Sequence, residues 1–115
     1  MIVNLTKSFR FEAAHWLPTF PDGHKCRRMH GHSFRVDVVV RGQVPDDTGY
    51  LIDYGQIAAA VEPVRARLDH YLLNEIEGLE NPTAEVIAAW FYARVANCES
   101  VRVYENDDCW AEVRQ

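Results

Sequence analysis

Alternation of apolar and polar residues in two segments near the start of the chain most constrains the fold. In 7–13 three apolar residues alternate with polar ones, and in 32–42 Phe34 and three valines occupy every second position. A period of two is typical of β-strands that bury one face. The segment 17–29 between them contains two prolines and a glycine and is predicted to be a loop. If the two strands pair in antiparallel fashion, this loop joins them.

After Asp53 the hydrophobic period changes to that of a helix. Asp53 is a suitable N-cap, and the apolar residues that follow are spaced by four, three and four positions. Pro63 lies inside this pattern, so we expect a kink or a break there, and we expect the helix to end after Leu68. The predicted apolar face consists of Ile57, Val61, Val64 and Leu68.

A second helix is predicted after the sequence Asn81-Pro82-Thr83. Either Asn81 caps this helix with Pro82 in the first turn, or Thr83 is the cap. The predicted apolar face consists of Val86, Ile87, Trp90, Phe91 and Val95.

Two short strands, 100–105 and 110–114, are predicted around a turn at 106–108. The order ββααββ does not interleave strands and helices one for one, which favours an α+β fold with an antiparallel sheet. A length of 115 residues predicts one domain spanning 1–115. Because a domain of this size buries a modest share of its surface, self-association is a natural source of further stability.

Composition argues against several classes of partner. The chain has 12 basic and 17 acidic residues, a formal charge of −5, which disfavours binding to nucleic acid or anionic membranes. No apolar run approaches the length of a membrane span, and 1–11 lacks the apolar core of a signal peptide, so we expect a cytoplasmic protein. The cysteines match no zinc-finger spacing, and we expect three free thiols: Cys26, Cys98 and Cys109.

Three histidines in the first third of the chain are candidate metal ligands. His30 and His32 are two positions apart, so on a strand both side chains leave the same face, roughly 6.5–7 Å apart along it. His15 follows the first predicted strand, and antiparallel pairing would bring it to the loop end beside His30. Three neutral imidazoles leave a fourth position open on zinc, as catalytic zinc sites require. A lone histidine such as His15 is otherwise a hydrogen-bonded interior residue.

Cys26 lies in a locally basic segment of this acidic chain, beside Lys25, Arg27 and Arg28. Nearby positive charge favours the thiolate and would make Cys26 a nucleophile or a base near neutral pH. The same basic residues could hold an anionic substrate group such as a polyphosphate. The alternative interpretation is a solvated loop with an incidental cysteine.

Five further residues carry candidate acid–base or binding chemistry. Adjacent Asp69 and His70 can form an acid–base pair, or can simply cap the end of the first helix. Glu85 lies one position short of capping-box spacing from Thr83 and otherwise interacts with the helix dipole. Glu105 ends an apolar strand and could lie on the surface, or could accept two parallel N–H donors from a flat heterocycle.

Taken together, five ordered blocks resemble the 6-pyruvoyltetrahydropterin synthase family. The resemblance extends from about residue 9 to residue 105. Two runs, Gly23-His24-Lys25-Cys26 and Leu79-Glu80-Asn81-Pro82-Thr83, are most similar to the bacterial 6-carboxytetrahydropterin synthases of queuosine biosynthesis. The blocks are Phe9-x-Phe11-x-Ala13-Ala14-His15, Cys26-x-x-x-His30-Gly31-His32, Leu68-Asp69-His70-x-x-Leu73-Asn74, Asn81-Pro82-Thr83-x-Glu85 and Glu105.

The resemblance implies a role for each of these candidate residues. Zinc is bound in the family by histidines that match His15, His30 and His32. The positions that match the catalytic residues are Cys26, Asp69 and His70. The positions that match the pterin pocket are Glu105, as the pterin anchor, with Thr83 and Glu85.

The resemblance also implies an architecture and a reaction. The architecture is the tunnelling fold, a four-stranded antiparallel sheet with two helices on one face. Trimers close their sheets into a barrel, two trimers stack into a hexamer, and active sites lie between subunits. The implied reaction converts 7,8-dihydroneopterin triphosphate into 6-carboxy-5,6,7,8-tetrahydropterin, acetaldehyde and triphosphate. The alternatives are a pyruvoyl product formed by loss of triphosphate, or a non-catalytic relative that binds pterin or metal.

Overall fold

The computed structural model describes residues 1–114 and is an α+β structure with one mixed sheet of five strands. The strands lie in the order β3-β1-β2-β4-β5, and all neighbours are antiparallel except β3 and β1. Helices α1 and α2 contribute to one hydrophobic core on a single face of the sheet. The bounds are β1 (Ile2–His15), β2 (His30–Gln43), α1 (Tyr54–Arg65), β3 (Tyr71–Leu72), α2 (Ala84–Arg94), β4 (Ser100–Asn106) and β5 (Cys109–Arg114).

The two alternating segments form a long antiparallel hairpin, as predicted, and both strands extend beyond the predicted segments. Ile2 pairs with Gln43 at one end, and His15 pairs with His30 at the end where the loop begins. Phe11 and Phe34 are directly paired, both are buried, and their rings stack with centroids 4.9 Å apart. The hairpin therefore fixes the positions of the histidines relative to the core.

Helix α1 begins as predicted but ends earlier. The Asp53 carboxylate accepts a hydrogen bond from Gly55 N–H (2.6 Å), and the side chain of Gln56 accepts one from Asp53 N–H (3.3 Å), so a capping box is present. The prediction that the helix ends after Leu68 is wrong, since it ends at Arg65, two residues beyond Pro63. The chain then continues through turns with i→i−3 hydrogen bonds, and Leu68 remains fully buried within them.

Helix α2 resolves the choice between its two candidate caps. Thr83 Oγ1 accepts a hydrogen bond from Val86 N–H (3.1 Å) and is the N-cap, whereas Asn81 accepts one from the Thr19 hydroxyl (3.4 Å). The predicted face is buried at Ile87, Trp90, Phe91 and Val95, and partly buried at Val86.

The expectation of four strands needs one correction. The two-residue strand β3 pairs in parallel with Ala13 and Ala14 at the edge of β1, which makes the sheet five-stranded. A bridge of two residues is too short to leave a periodic pattern in the sequence. This bridge fixes the position of Asp69 and His70, which immediately precede β3, beside the β1 edge.

Candidate metal and substrate site

Four potential ligand residues converge at the loop end of the hairpin. His15, His30, His32 and Glu105 offer ligand atoms that all lie within 4.8 Å of one another. The ring centroids are 4.6 Å apart for His15 and His30, and 5.0 Å apart for His30 and His32. The structure thus brings together the three histidines that the sequence singles out. The structure also places the Glu105 carboxylate in this cluster, whereas the resemblance assigns Glu105 to the pterin pocket.

Backbone carbonyls orient two of the imidazole rings. His15 Nδ1 lies 2.9 Å from the carbonyl oxygen of Pro82, and His30 Nδ1 lies 2.7 Å from that of Arg28. Because a carbonyl oxygen only accepts, both Nδ1 atoms carry the proton, and both Nε2 atoms keep a lone pair in the neutral ring. Such outer contacts are typical of metal-ligating histidines.

The unpartnered atoms of the cluster provide the test of whether a cation fits. His15 Nε2 and His32 Nε2 are buried and find no hydrogen-bond donor or acceptor among residues 1–114. The Glu105 Oε2 atom lies 3.5 Å and 3.2 Å from these two nitrogens. A buried imidazole lone pair that is aimed into such a cluster beside a carboxylate is satisfied by a cation, and three imidazoles that leave a fourth position open form a set that suits zinc. The residues present therefore fit the metal that the family resemblance implies.

Burial favours the neutral form of His15 and His32. The pKa of His15 is lowered from 6.5 to about 4, mainly by desolvation and also by the neighbouring His30 and His32, against the opposing effect of the Pro82 carbonyl. Desolvation also lowers the pKa of His32, although Glu105 acts in the opposite direction. Because metal binding requires the neutral ring, both residues are available as ligands at neutral pH.

A β-bulge positions Glu105. Tyr104 pairs with Trp110 and Asn106 pairs with Cys109, so β4 has one residue between these pairs and β5 has none. Bulges re-aim a side chain relative to regular alternation and are frequent near active sites. Here Glu105 is the extra residue, and its carboxylate reaches the histidines.

Cys26 borders the same cavity as His30 and His32. The cavity has a volume of about 490 Å³. Cys26 lies in a single helical turn, in which its N–H donates to His24 Nδ1 (3.0 Å) and its carbonyl accepts from Leu17 N–H (2.8 Å). The cavity is lined by Lys25, Cys26, His30, His32, Glu105, Asn106 and Cys109. The sequence does not indicate that Asn106 and Cys109 border this cavity, because only their pairing across the β4–β5 turn brings them to it.

The three basic residues of the loop have different surroundings. Lys25 borders the cavity. Arg27 donates hydrogen bonds to the carbonyl oxygens of Pro18 (2.6 Å) and Phe20 (3.0 Å), so its guanidinium holds the loop together. Arg28 is exposed, and its carbonyl oxygen is the one that orients His30. Of the three, Lys25 is the best placed to meet a ligand in the cavity.

His70, the partner of Asp69, lies on a different cavity from Cys26. His70 Nδ1 is 3.1 Å from Asp69 Oδ2, and the His70 side chain is 77% exposed. His70 borders a cavity of about 530 Å³, and His32 borders both cavities. The structure thus forms the Asp69–His70 pair but does not bring it beside Cys26.

The two remaining candidates lie at the start of α2. Thr83 is the helix cap, so its hydroxyl already accepts from a backbone N–H. Glu85 is exposed and borders a third cavity, of about 380 Å³, together with Glu105, Cys109 and Trp110. Glu105 and Cys109 border both this cavity and the cavity of Cys26.

Comparison with known proteins identifies the family of this chain. A sequence profile of the family described as 6-pyruvoyl tetrahydropterin synthase matches residues 4–115. The chain belongs to this family.

Two relatives are similar to this chain in sequence. The 6-carboxy-5,6,7,8-tetrahydropterin synthase of Synechocystis sp. is 45% identical over 109 residues, covering 86% of this chain and 83% of that protein. The dihydroneopterin monophosphate aldolase of Pyrococcus furiosus is 36% identical over 85 residues, covering 74% of this chain and 68% of that protein.

A solved structure shows the fold. The 6-pyruvoyl tetrahydropterin synthase of Caenorhabditis elegans superposes with a TM-score of 0.90 at 21% identity, over 100% of this chain and 96% of that chain. The expected tunnelling fold is confirmed, with one additional short strand. No helix within residues 1–114 combines the length and hydropathy needed to cross a membrane.

Proposed function

We propose that this protein is a zinc-dependent enzyme that converts 7,8-dihydroneopterin triphosphate into 6-carboxy-5,6,7,8-tetrahydropterin, acetaldehyde and triphosphate. The step would belong to queuosine biosynthesis in the cytoplasm. One observation carries the proposal: His15, His30, His32 and Glu105 form one cluster, and three of them, His30, His32 and Glu105, border the cavity that Cys26 also borders. Similarity to the Synechocystis protein supports the choice of product.

His15, His30 and His32 would hold the zinc through their Nε2 atoms. When bound, zinc supplies a Lewis acid that stabilises negative charge on the hydroxyl oxygens of the substrate side chain. The Pro82 and Arg28 carbonyls fix the ring orientations of His15 and His30, so two of the ligands are preorganised. Burial of His15 keeps its ring neutral and also excludes water from that side of the site.

Cys26 is proposed to accept a proton from the substrate side chain. Its position in the cavity of the histidines supports this role, and Lys25 on the same cavity wall supplies positive charge for the triphosphate. Glu105 is proposed to hold the pterin edge through charge-assisted hydrogen bonds, which fixes the reacting carbons relative to the histidines. Thr83 and Glu85, at the start of α2, are proposed to line the pterin pocket next to Glu105.

Asp69 and His70 are proposed to be the second acid–base pair, contributed by a neighbouring copy of the chain. In one chain His70 borders a different cavity from Cys26 and is largely exposed, which supports a role at an interface. Most of the outer edge of β1 has no strand partner within residues 1–114, and β5 forms the other edge of the sheet. Exposed strand edges favour pairing between copies. We propose trimers that close a barrel and stack in pairs as hexamers.

Product analysis tests the reaction. Purified zinc-loaded protein is incubated with 7,8-dihydroneopterin triphosphate, and the products are identified by mass spectrometry. The proposal predicts the carboxy product with acetaldehyde, whereas a product that retains the two-carbon fragment would indicate pyruvoyl chemistry. Preferential turnover of dihydroneopterin monophosphate would favour the activity named for the Pyrococcus relative. Binding of the pterin without turnover would indicate a non-catalytic relative.

Paired variants test the residue roles. Cys26→Ala is expected to retain zinc and lose turnover, whereas Cys98→Ala, which removes a buried thiol away from this cavity, is expected to retain both. His32→Ala is expected to lose zinc and turnover together. Full activity in Cys26→Ala, or unchanged metal content in His32→Ala, would contradict the assignment.

Mixing of two inactive variants tests whether the site lies between subunits. Cys26→Ala and His70→Asn are unfolded together, refolded as mixed oligomers and assayed. If each site takes Cys26 from one copy and His70 from another, some sites in the mixture contain both native residues and turnover returns. Mixed oligomers that remain inactive would place both residues of a site in the same chain.

A further inference from the structure

The turn that contains Asp69 and His70 is fixed to one residue of the β1 edge. Glu12 N–H donates a hydrogen bond to Asp69 Oδ1 (2.9 Å), and the Glu12 carbonyl oxygen accepts one from His70 N–H (2.6 Å). His70 has a positive φ of 65°, a conformation that non-glycine residues rarely adopt without a local constraint. The two hydrogen bonds to Glu12 provide that constraint and direct Asp69 Oδ2 towards His70 Nδ1.

The last residue of α1, Arg65, contacts the same carboxylate from the other side. Its Nη1 atom lies 3.6 Å from Asp69 Oδ2 and donates a hydrogen bond to the Arg10 carbonyl oxygen (3.1 Å). Its Nε and Nη2 atoms donate to the two carboxylate oxygens of Glu62, at 2.7 Å and 2.9 Å. The guanidinium is therefore held in place by both the helix and β1, and it is 24% exposed. This fixed orientation distinguishes Arg65 from a freely rotating surface arginine.

Several charged groups surround Asp69. They are Arg65 and Glu62 on α1, His70 in the same turn, and Glu12 on β1, whose own carboxylate is bound by the Ser33 hydroxyl at 2.7 Å. The hydrogen bond from Glu12 N–H, followed by His70 and Arg65, lowers the pKa of Asp69. Without a positive charge at Arg65, Glu62 and Asp69 would face each other as two carboxylates.

We propose that Arg65 is a positioning residue for the reaction, acting on His70 through Asp69. It keeps the Asp69 carboxylate ionised and oriented, so that Asp69 accepts from His70 Nδ1 and leaves His70 Nε2 directed outward for proton transfer. The inference rests on the proposed acid–base role of Asp69 and His70. Arg65 itself does not touch the substrate, because its guanidinium nitrogen atoms are occupied by Glu62, Asp69 and the Arg10 carbonyl oxygen.

The experiment compares Arg65→Met and Arg65→Lys with the native zinc-loaded enzyme. Arg65→Met retains the length of the side chain and removes the charge, Arg65→Lys restores the charge without the planar fork, and Arg41→Gln is a matched control for loss of an exposed cation. Two properties are measured: kcat and KM as functions of pH, and the titration of the Asp69 carboxyl carbon by ¹³C NMR. The NMR titration does not depend on turnover.

Arg65→Met is expected to lower kcat by roughly 10-fold or more, since oriented general acid–base groups typically contribute on the order of 10²–10⁴-fold. KM is expected to change little. The acid limb of the kcat profile and the NMR titration of Asp69 are both expected to move to higher pH. Arg65→Lys is expected to reverse these shifts in part, and Arg41→Gln to behave as the native protein.

Two results would overturn the inference. One is an Asp69 titration in Arg65→Met that coincides with that of the native protein. The other is a fall in kcat with an unchanged pH profile, which would indicate a structural role only. If the native protein does not turn over the pterin at all, the proposed function fails. The NMR titration then still decides whether Arg65 controls the Asp69 carboxylate.

Discussion

Acidification of the metal-free protein measures how strongly burial disfavours the charged form of His15. Its side chain is fully buried, and its pKa falls from 6.5 to about 4. In the unfolded chain the same imidazole takes up a proton near its ordinary pKa. Between these values the unfolded state binds more protons than the folded state, so the free energy of unfolding falls as the pH falls. The stability is fully present above pH 6.5 and is lost as the pH approaches 4.

The size of the effect follows from the two pKa values. A difference of about 2.5 units corresponds to roughly 3 kcal/mol once both states are protonated, and about 2 kcal/mol of it is lost between pH 7 and pH 5. The pH range above 5 separates the histidine contribution from that of carboxylates. Carboxylates whose pKa is lowered in the folded state, such as Asp69 and Glu62, titrate below this range. Burial lowers the pKa of His32 as well, which adds a contribution of the same sign.

Urea unfolding followed by tryptophan fluorescence provides the assay, with a chelator present and a fixed protein concentration. The native protein is compared with His15→Asn, in which the amide nitrogen can replace Nδ1 as a donor to the Pro82 carbonyl. This variant is expected to lose about 2 kcal/mol less than the native protein between pH 7 and pH 5. Arg41→Gln removes an exposed cation that does not titrate in this pH range and should keep the native pH dependence. Equal slopes for the native protein and His15→Asn would refute the reasoning.

Substitutions at three other positions test separate parts of the structure. Asp53→Ala removes the capping box of α1 and should lower the free energy of unfolding by about 1 kcal/mol, whereas Asp53→Asn should cost a few tenths, both measured by urea unfolding. Phe91→Ala truncates a fully buried side chain of α2 and should cost about 3–5 kcal/mol in the same assay; a loss below 1 kcal/mol would mean that α2 packs differently. Glu105→Gln should keep its zinc, since three histidines remain, and raise KM; loss of zinc would instead make Glu105 a ligand.

Regular periodicity accounts for the parts of the fold and site that the sequence predicts. His30 and His32 share a strand face because side chains alternate, and His15 meets them because an antiparallel hairpin returns to the level at which it began. Asp53 and Thr83 cap helices through hydrogen bonds that reach only three residues along the chain. Such relations depend on local spacing, and local spacing is visible in the sequence.

The features that the sequence does not predict depend on contacts between distant segments. β3 is a two-residue bridge to β1, and the orientation of Glu105 depends on one residue without a partner across the β4–β5 ladder. His70 borders a different cavity from Cys26 because its turn is bound through Asp69 to Glu12, 57 positions before Asp69. A periodic sequence pattern does not indicate these contacts, because each is a single irregular contact that forms only on folding.

The bulge at Glu105 makes the site sensitive to the number of residues in β4 as well as to their identity. Deleting or inserting one residue between Ser100 and Asn106 would turn Glu105 to the opposite face of the sheet, although every ligand and catalytic side chain would still be present. The segment 17–29 has no ladder to preserve along most of its length and should accept changes of length more readily. When sequences of this family are compared, gaps in β4 are therefore as informative about loss of the site as substitutions at Glu105 itself.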